Sequence, residues 1–129
     1  MEERPVFDNN VMRLEWKDGI VHGWYKKGTV TLEVAKRIVK DRQEFTKNVP
    51  VKMIVRQQGL RGIEREARQY LSSREGIQGV IAGAIIANSA FESHLANFFI
   101  NITVIRPKIP TKVFRNEADA IEWLKSLDI

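Results

Sequence analysis

Apolar residues along the chain first alternate and then cluster, which predicts a β-hairpin followed by helices and strands in turn. Two apolar runs near the start are joined by Asp18-Gly19, and glycine supplies the positive φ that tight hairpin turns require. We therefore place strands near 10–16 and 19–27, after a short tail at residues 1–9.

Helical spacing then replaces the strand pattern. Thr31 can cap a helix that runs to about Lys47, since apolar residues recur at helical spacing behind it. The short apolar run 51–55 is typical of a parallel strand covered on both faces. A second helix is predicted from Ile63 to about Ser72–Gly76.

The apolar run 79–87 can be interpreted in two ways. Its length and β-branched content favour a central strand, although periodicity alone does not separate this from a buried helix. Ser89 and Glu92 have the spacing of a capping box that opens a third helix. A last strand at 111–114 and a final helix capped by Asn116 complete the chain.

This order, ββαβαβαβα, predicts an α/β protein with a mixed five-stranded sheet and about four helices. At 129 residues the chain is large enough for one hydrophobic core, so we assign residues 10–129 to a single domain. It contains no cysteine, which excludes disulfides, thiolate metal sites and a cysteine nucleophile. No apolar run approaches the roughly 20 residues of a membrane span, and a cytoplasmic protein that is not integral to a membrane is expected.

The positive charge is concentrated in the middle of the chain. The net charge is +5, and residues 36–76 contain eleven Lys or Arg against five Asp or Glu. An acidic partner is therefore compatible with this region. Nucleic acid is not expected, because stacking would require exposed aromatics and here only Phe45 and Tyr70 occur, at predicted core positions.

The residues give little sign of catalysis. His22 and His94 lie on different elements, without the spacing of metal ligands, and no phosphate-binding or dinucleotide-binding glycine motif is present. We predict no catalytic, metal or cofactor site and no enzymatic activity. An enzyme would require a site assembled from Glu64, Glu66 or His94, and no motif places these together.

Two segments are candidates for binding. The loop at 56–62 is glycine-hinged and rich in arginine, so it could hold an anion or an acidic partner, or simply be a solvated turn. The third helix has more apolar residues than one face needs, which predicts either core packing or an apolar pocket or dimer face. The candidate residues of that pocket are Phe91, Leu95, Phe98 and Phe99.

The element order and the ending at 113–124 resemble the STAS-like domains, the fold of the bacterial anti-sigma-factor antagonists. In that family a serine at the start of the second helix is phosphorylated. The corresponding stretch here, 59–68, has no Ser, Thr or Tyr, and Glu66 stands near the position of that serine. The phosphorylation switch is therefore not carried over, and Glu66 is either a fixed phosphate mimic or an ordinary acidic residue at a helix start.

The resemblance implies a non-catalytic, regulatory interaction module. Its partner is predicted to be another protein, bound through the arginine-rich loop and the start of the next helix. The predicted contact residues are Arg56, Arg61, Glu64, Arg65 and Arg68. The alternative hypothesis is a carrier or sensor of a small apolar, lipid-like ligand near the third helix, and the sequence leaves a homodimer open.

Overall fold

The computed structural model describes residues 5–26, 28–57, 60–90, 92–94 and 109–129. Its main sheet has six strands, in the spatial order β1-β2-β3-β5-β7-β8. These strands are β1 (Val6–Asp8), β2 (Met12–Lys17), β3 (Ile20–Tyr25), β5 (Val51–Arg56), β7 (Val80–Ile86) and β8 (Thr111–Phe114). The first three pair antiparallel, and β3, β5, β7 and β8 pair parallel, so the sheet is mixed as predicted.

The hairpin forms where the sequence predicts it. Asp18 and Gly19 both have positive φ, 54° and 79°, as a two-residue hairpin turn of the favoured hand requires. The residues on either side pair in continuous register from Met12 with Tyr25 to Lys17 with Ile20.

The sheet has one strand more than the five predicted, because β1 lies inside the stretch interpreted as a tail. Phe7 in β1 packs its ring 6.5 Å from that of Phe45. The turn into β2 is fixed by the Asn9 side chain, whose Oδ1 accepts from the backbone N–H groups of Val11 (2.8 Å) and Met12 (2.9 Å). A three-residue strand is too short for alternation to reveal, and its pairing depends on this local turn.

Three helices are described in full: α1 (Leu32–Thr46), α2 (Arg65–Leu71) and α3 (Glu117–Ser126). Helices α1 and α3 begin at the predicted caps, Thr31 and Asn116. Thr31 Oγ1 accepts from Val34 N at 3.2 Å, and Asn116 Oδ1 accepts from Asp119 N at 2.8 Å. Ala90 is helical as well, and Ser89 Oγ accepts from Glu92 N at 3.1 Å, which confirms the predicted capping bond.

Strands β3 and β5 present alternate residues to two separate apolar clusters. The buried residues Leu14, Val21 and Met53 pack with α1 and α2 on one face. On the other face, Ile54 packs with Ala120 and Leu124 of α3, over the small side chains of β7. The run 79–87 is therefore a strand covered on both faces, which resolves the helix-or-strand ambiguity.

One cation of β5 fixes the far end of α3. Lys52 Nζ donates to the backbone oxygens of Leu124 (2.7 Å) and Leu127 (3.0 Å). These carbonyls lie at the end of a helix, where backbone oxygens carry partial negative charge, and Leu124 O also accepts from Leu127 N at 3.3 Å. The lysine side chain therefore caps a helix that is more than 70 residues away in sequence.

A second, two-stranded parallel sheet was not predicted. It pairs β4 (Gly28–Val30) with β6 (Leu60–Ile63), immediately before α1 and α2 respectively. Ile63, which we assigned to the second helix, is instead the last residue of β6, and α2 begins two residues later. Strands of three and four residues that contain glycine give no usable alternation, so only the tertiary pairing reveals them.

Candidate functional site

The small β4–β6 sheet supports the segment that the sequence singled out for partner binding. Thr29 pairs with Gly62 and Val30 with Ile63. Glu64 N then donates to Val30 O at 2.9 Å, which continues the connection to the first residue before α2. The start of α2 is therefore held against the start of α1 by backbone hydrogen bonds.

Three of the five predicted contact residues lie on the protein surface. Arg61, Glu64 and Arg65 are all exposed, and we call them the β6–α2 surface. The Arg68 side chain instead contacts the backbone just before α2, where its Nη1 donates to Ile63 O at 2.8 Å. This hydrogen bond stabilises the turn between β6 and α2.

The structure places Arg56 away from the β6–α2 surface. As the last residue of β5 it points to the sheet face that α3 covers, and its side chain is only 13% exposed. The guanidinium carbon lies 4.4 Å from the centre of the Trp24 ring, in cation–π geometry. Nη2 forms an ion pair with Glu117, the first residue of α3, and lies 3.2 Å from His22 Nδ1.

His22 is buried in this cluster, with 2% of its surface exposed. Burial and the positive charges of Arg56 and Lys17 lower its pKa from 6.5 to about 4, against the opposing fields of Glu15 and Asp18. Glu117 Oε1 lies 3.4 Å from Nδ1 and is ion-paired with Arg56. The imidazole is neutral at pH 7, and because the arginine can only donate, Nδ1 accepts and Nε2 carries the proton.

Sequence reasoning missed this cluster, which contains Trp24, His22, Arg56 and Glu117. The alternation in β3 places His22 and Trp24 on the same face of the sheet. This is the one contact of the cluster that local sequence could have indicated. Glu117 reaches Arg56 only because α3 folds back over β5. That contact follows from the topology of the sheet and not from any spacing in the sequence.

A partly open cavity of about 110 Å³ lies on the sheet face that carries α1 and α2. Its described wall is mainly aliphatic, and the polar residues Tyr25, Arg42, Gln57 and Thr111 also line it. The aliphatic wall includes Leu14, Met53, Val55, Ile63, Leu71 and Ile85. The pocket residues predicted from the sequence, Phe91, Leu95, Phe98 and Phe99, lie outside the described residues.

The polar groups of the cavity differ in their hydrogen bonding and ionisation. Arg42 donates from Nη1 to Gly76 O and from Nη2 to Gln78 O, both at 3.0 Å. Burial raises the pKa of Tyr25 above its usual value of 10.0, so its hydroxyl is neutral at physiological pH. Gln57 is 3% exposed, and its Oε1 is buried without a hydrogen-bond partner.

Two further findings bear on the kind of site present. Within residues 5–26, 28–57, 60–90, 92–94 and 109–129, no three His, Asp or Glu side chains are grouped to hold a metal ion. In the same part of the chain, no helix has both the length and the apolar character to cross a bilayer.

Comparisons with known proteins identify a family and a fold. The model of a domain of unknown function, DUF7793, matches residues 13–128. An uncharacterised protein of the DUF3478 family from Shewanella loihica PV-4, solved as having a SpoIIAA-like fold, superimposes with a TM-score of 0.64. The likeness covers 96% of this chain and 97% of that chain at 13% sequence identity, so it shows the fold alone.

This likeness confirms the STAS-like fold that the sequence was expected to adopt. A search of curated proteins finds none that matches the chain.

Proposed function

The chain belongs to the DUF7793 family, whose function is unknown, and from that premise we propose that it is a non-catalytic, regulatory interaction module. The module binds another protein through the β6–α2 surface, that is, Arg61, Glu64 and Arg65. The observation that carries the proposal is the exposure of these three charges on a backbone that is hydrogen-bonded to β4.

A rigid backbone favours this assignment because charges that are already positioned lose little conformational entropy on binding. Charges of both signs alternate here, since Arg61 and Arg65 are interspersed with the exposed Glu64 and Glu66. Complementary patterns of this kind contribute mainly to the choice of partner and to the rate of association. The partner is therefore expected to present acidic residues opposite the two arginines.

Charge reversal tests the β6–α2 surface. The double variant Arg61→Glu, Arg65→Glu is expected to recover its native partner at least about tenfold less well in pull-downs from the host, because like charges then face each other. Both side chains are exposed, so circular dichroism and the unfolding midpoint are expected to stay close to those of the wild type.

The matched control is Lys36→Glu, Lys40→Glu on the exposed side of α1, which makes the same change in net charge elsewhere. It is expected to retain the partner. Equal recovery by the wild type and by a folded Arg61→Glu, Arg65→Glu variant would show that the β6–α2 surface is not the binding surface.

The cavity favours a second function, the carriage or sensing of a small apolar ligand. A concave, mainly apolar pocket with a few polar groups is the usual form of a small-molecule site. The cavity and the β6–α2 surface share the strand β6. Ile63 of this strand is part of the cavity wall, whereas Arg61 and Glu64, on either side of it in the sequence, are exposed to solvent.

Native mass spectrometry tests the carrier function. Protein purified from its host without detergent is expected to show an added mass that disappears on denaturation. A Gly83→Val variant supplies the control, because Gly83 lines the cavity and its new side chain would project from β7 into that space. Wild-type protein of bare mass, isolated under conditions that keep it folded, would count against the carrier function.

A further inference from the structure

Arg42 brings a positive charge without a counter-charge into the wall of the cavity. It follows Ile38 by one turn of α1, so both side chains lie on the same face of the helix, and both line the cavity. Only 7% of Arg42 is exposed. Its hydrogen bonds go to the backbone oxygens of Gly76 and Gln78, which are neutral groups. These partners satisfy N–H groups of Nη1 and Nη2 and leave the charge itself unpaired.

No carboxylate of the described residues compensates this charge. The ionisable side chains that act on the guanidinium are Tyr25 and Tyr70, and burial raises the pKa of both hydroxyls, so neither is ionised at pH 7. Burial also lowers the pKa of Arg42, but a guanidinium keeps its proton in proteins. Buried charges are usually paired, because removing an ion from water is costly unless an opposite charge is close. A bound anion would supply that opposite charge.

Hydrogen-bond donors for such an anion are available beside the charge. A guanidinium has more N–H groups than the two that the carbonyls use. Within the part of the chain that the structure describes, Arg42 Nε and Tyr25 Oη have no hydrogen-bond partner, and neither atom is fully buried. Tyr25 lines the cavity as well, and its protonated hydroxyl is a donor. These two groups, in a mainly aliphatic wall, form the polar end of a site for an amphipathic anion.

The charge of the wall favours a carboxylate over a phosphate. Arg42 is the only basic residue among those described as lining the cavity. One carboxylate matches its single charge, and guanidinium–carboxylate hydrogen bonds are among the strong ones. A phosphate monoester carries roughly two negative charges, so part of its charge would be left unpaired against apolar side chains.

We propose that the cavity binds an ionised apolar carboxylic acid, whose carboxylate pairs with Arg42 and accepts a hydrogen bond from Tyr25. The inference rests on the carrier function proposed above and adds the chemical class of the ligand. The aliphatic side chains of the wall hold the hydrocarbon part, and because the cavity is partly open, a longer chain can extend toward solvent.

Hexanoate and hexanamide test the inference, because they have the same number of non-hydrogen atoms and differ in charge. Their affinities at neutral pH are measured by titration calorimetry. The wild type is expected to bind hexanoate at least about tenfold more tightly, since hydrogen bonds to an ionised group are roughly twice as strong as neutral ones. Arg42→Met is expected to lose this preference. The matched control Arg37→Met makes the same change at an exposed position of α1 and is expected to keep it.

Tyr25→Phe covers the case in which Arg42→Met does not fold. The Tyr25 hydroxyl has no partner among the described residues, so its removal leaves no group of the fold unpaired. The affinity for hexanoate is expected to fall about tenfold, the effect of one hydrogen bond to a charged group. Tyr70→Phe is the matched control, because that hydroxyl donates to Glu75 and the residue is not part of the described cavity wall. It is expected to keep the wild-type affinity.

Equal affinities of the wild type for hexanoate and hexanamide would overturn the inference and leave the carrier function standing. So would a hexanoate affinity that is unchanged in every folded variant of Arg42 and Tyr25. Binding of neither probe to the folded wild type would overturn the inference as well, and the co-purifying mass would then decide the carrier function by itself.

Discussion

Replacing Gly76 with alanine is expected to lower the free energy of unfolding by about 3 kcal/mol or more, which is at the high end for a single substitution. A Cβ at this position would overlap the backbone oxygen of Tyr70 and stand 2.8 Å from both the carbonyl carbon and oxygen of Leu71. Side-chain rotation cannot relieve the overlap, because these atoms belong to the backbone at the end of α2.

The turn around Gly76 is also connected to α1. Gly76 N donates to Ser73 Oγ at 3.1 Å, and Gly76 O accepts from the buried Arg42 at 3.0 Å. A displaced Gly76 would therefore weaken the hydrogen bond of a charged group, a type that is typically worth about 1.5–3 kcal/mol. The steric and hydrogen-bonding effects act in the same direction.

Urea unfolding followed by circular dichroism measures the effect. Gly62→Ala is the matched control, because an added Cβ there meets no atom within 4 Å, and it is expected to change the free energy of unfolding by less than about 0.5 kcal/mol. An unfolding midpoint of Gly76→Ala equal to that of Gly62→Ala would contradict the packing described for this turn.

Acidification from pH 6.5 to about 4 is expected to reduce the free energy of unfolding by up to about 3 kcal/mol through His22 alone. The pKa of this residue is 6.5 when unfolded and about 4 in the fold, and each unit of difference corresponds to about 1.4 kcal/mol. Between these values the unfolded chain binds the extra proton, so stability falls as the pH falls. The contribution is fully present above pH 6.5 and absent below about 4.

The groups around His22 explain why the proton is disfavoured. Arg56 presents a permanent positive charge 3.2 Å from Nδ1, and burial removes the water that would solvate an imidazolium. Unfolding curves at several pH values for the wild type and His22→Gln isolate the contribution of His22. The difference in free energy between the two proteins is expected to change across this window and to be constant above it. A pH-independent difference would show that His22 titrates alike in both states.

The sequence predicted those features of the fold that have local causes. The Asp18-Gly19 turn and the Thr31 and Asn116 caps each depend on residues within about three positions of one another, and all three are present. Strands β2, β3, β5 and β7, of six or seven residues, were found because their apolar runs exceed the length that chance alternation produces. The four-residue β8 was found between a proline-containing loop and the Asn116 cap.

Features that depend on distant pairing were missed. The β4–β6 sheet joins residues more than 30 positions apart, and its short strands carry glycines that weaken any strand pattern. Arg56 was expected to lie on the binding loop because the apolar run 51–55 ends just before it and a polar stretch with two glycines follows. The strand it ends is instead covered by α3, whose position could not be derived from local spacing.

The geometry of β5 and α3 also limits how α3 can vary. Lys52 and Arg56 are four residues apart on one face of β5, a span of about 13 Å. Lys52 binds the carbonyls at the carboxyl-terminal end of α3, and Arg56 binds Glu117 at the opposite end. The ten residues of α3 extend about 15 Å, close to the spacing of Lys52 and Arg56. The two contacts therefore restrict the length of the helix. Insertion of a single residue between Glu117 and Leu124 would rotate the rest of α3 by about 100° relative to its first residue. Either the contact of Lys52 with the last carbonyls or the ion pair of Arg56 with Glu117 would then be lost. Substitutions at the outward-facing positions of α3 would leave both contacts in place.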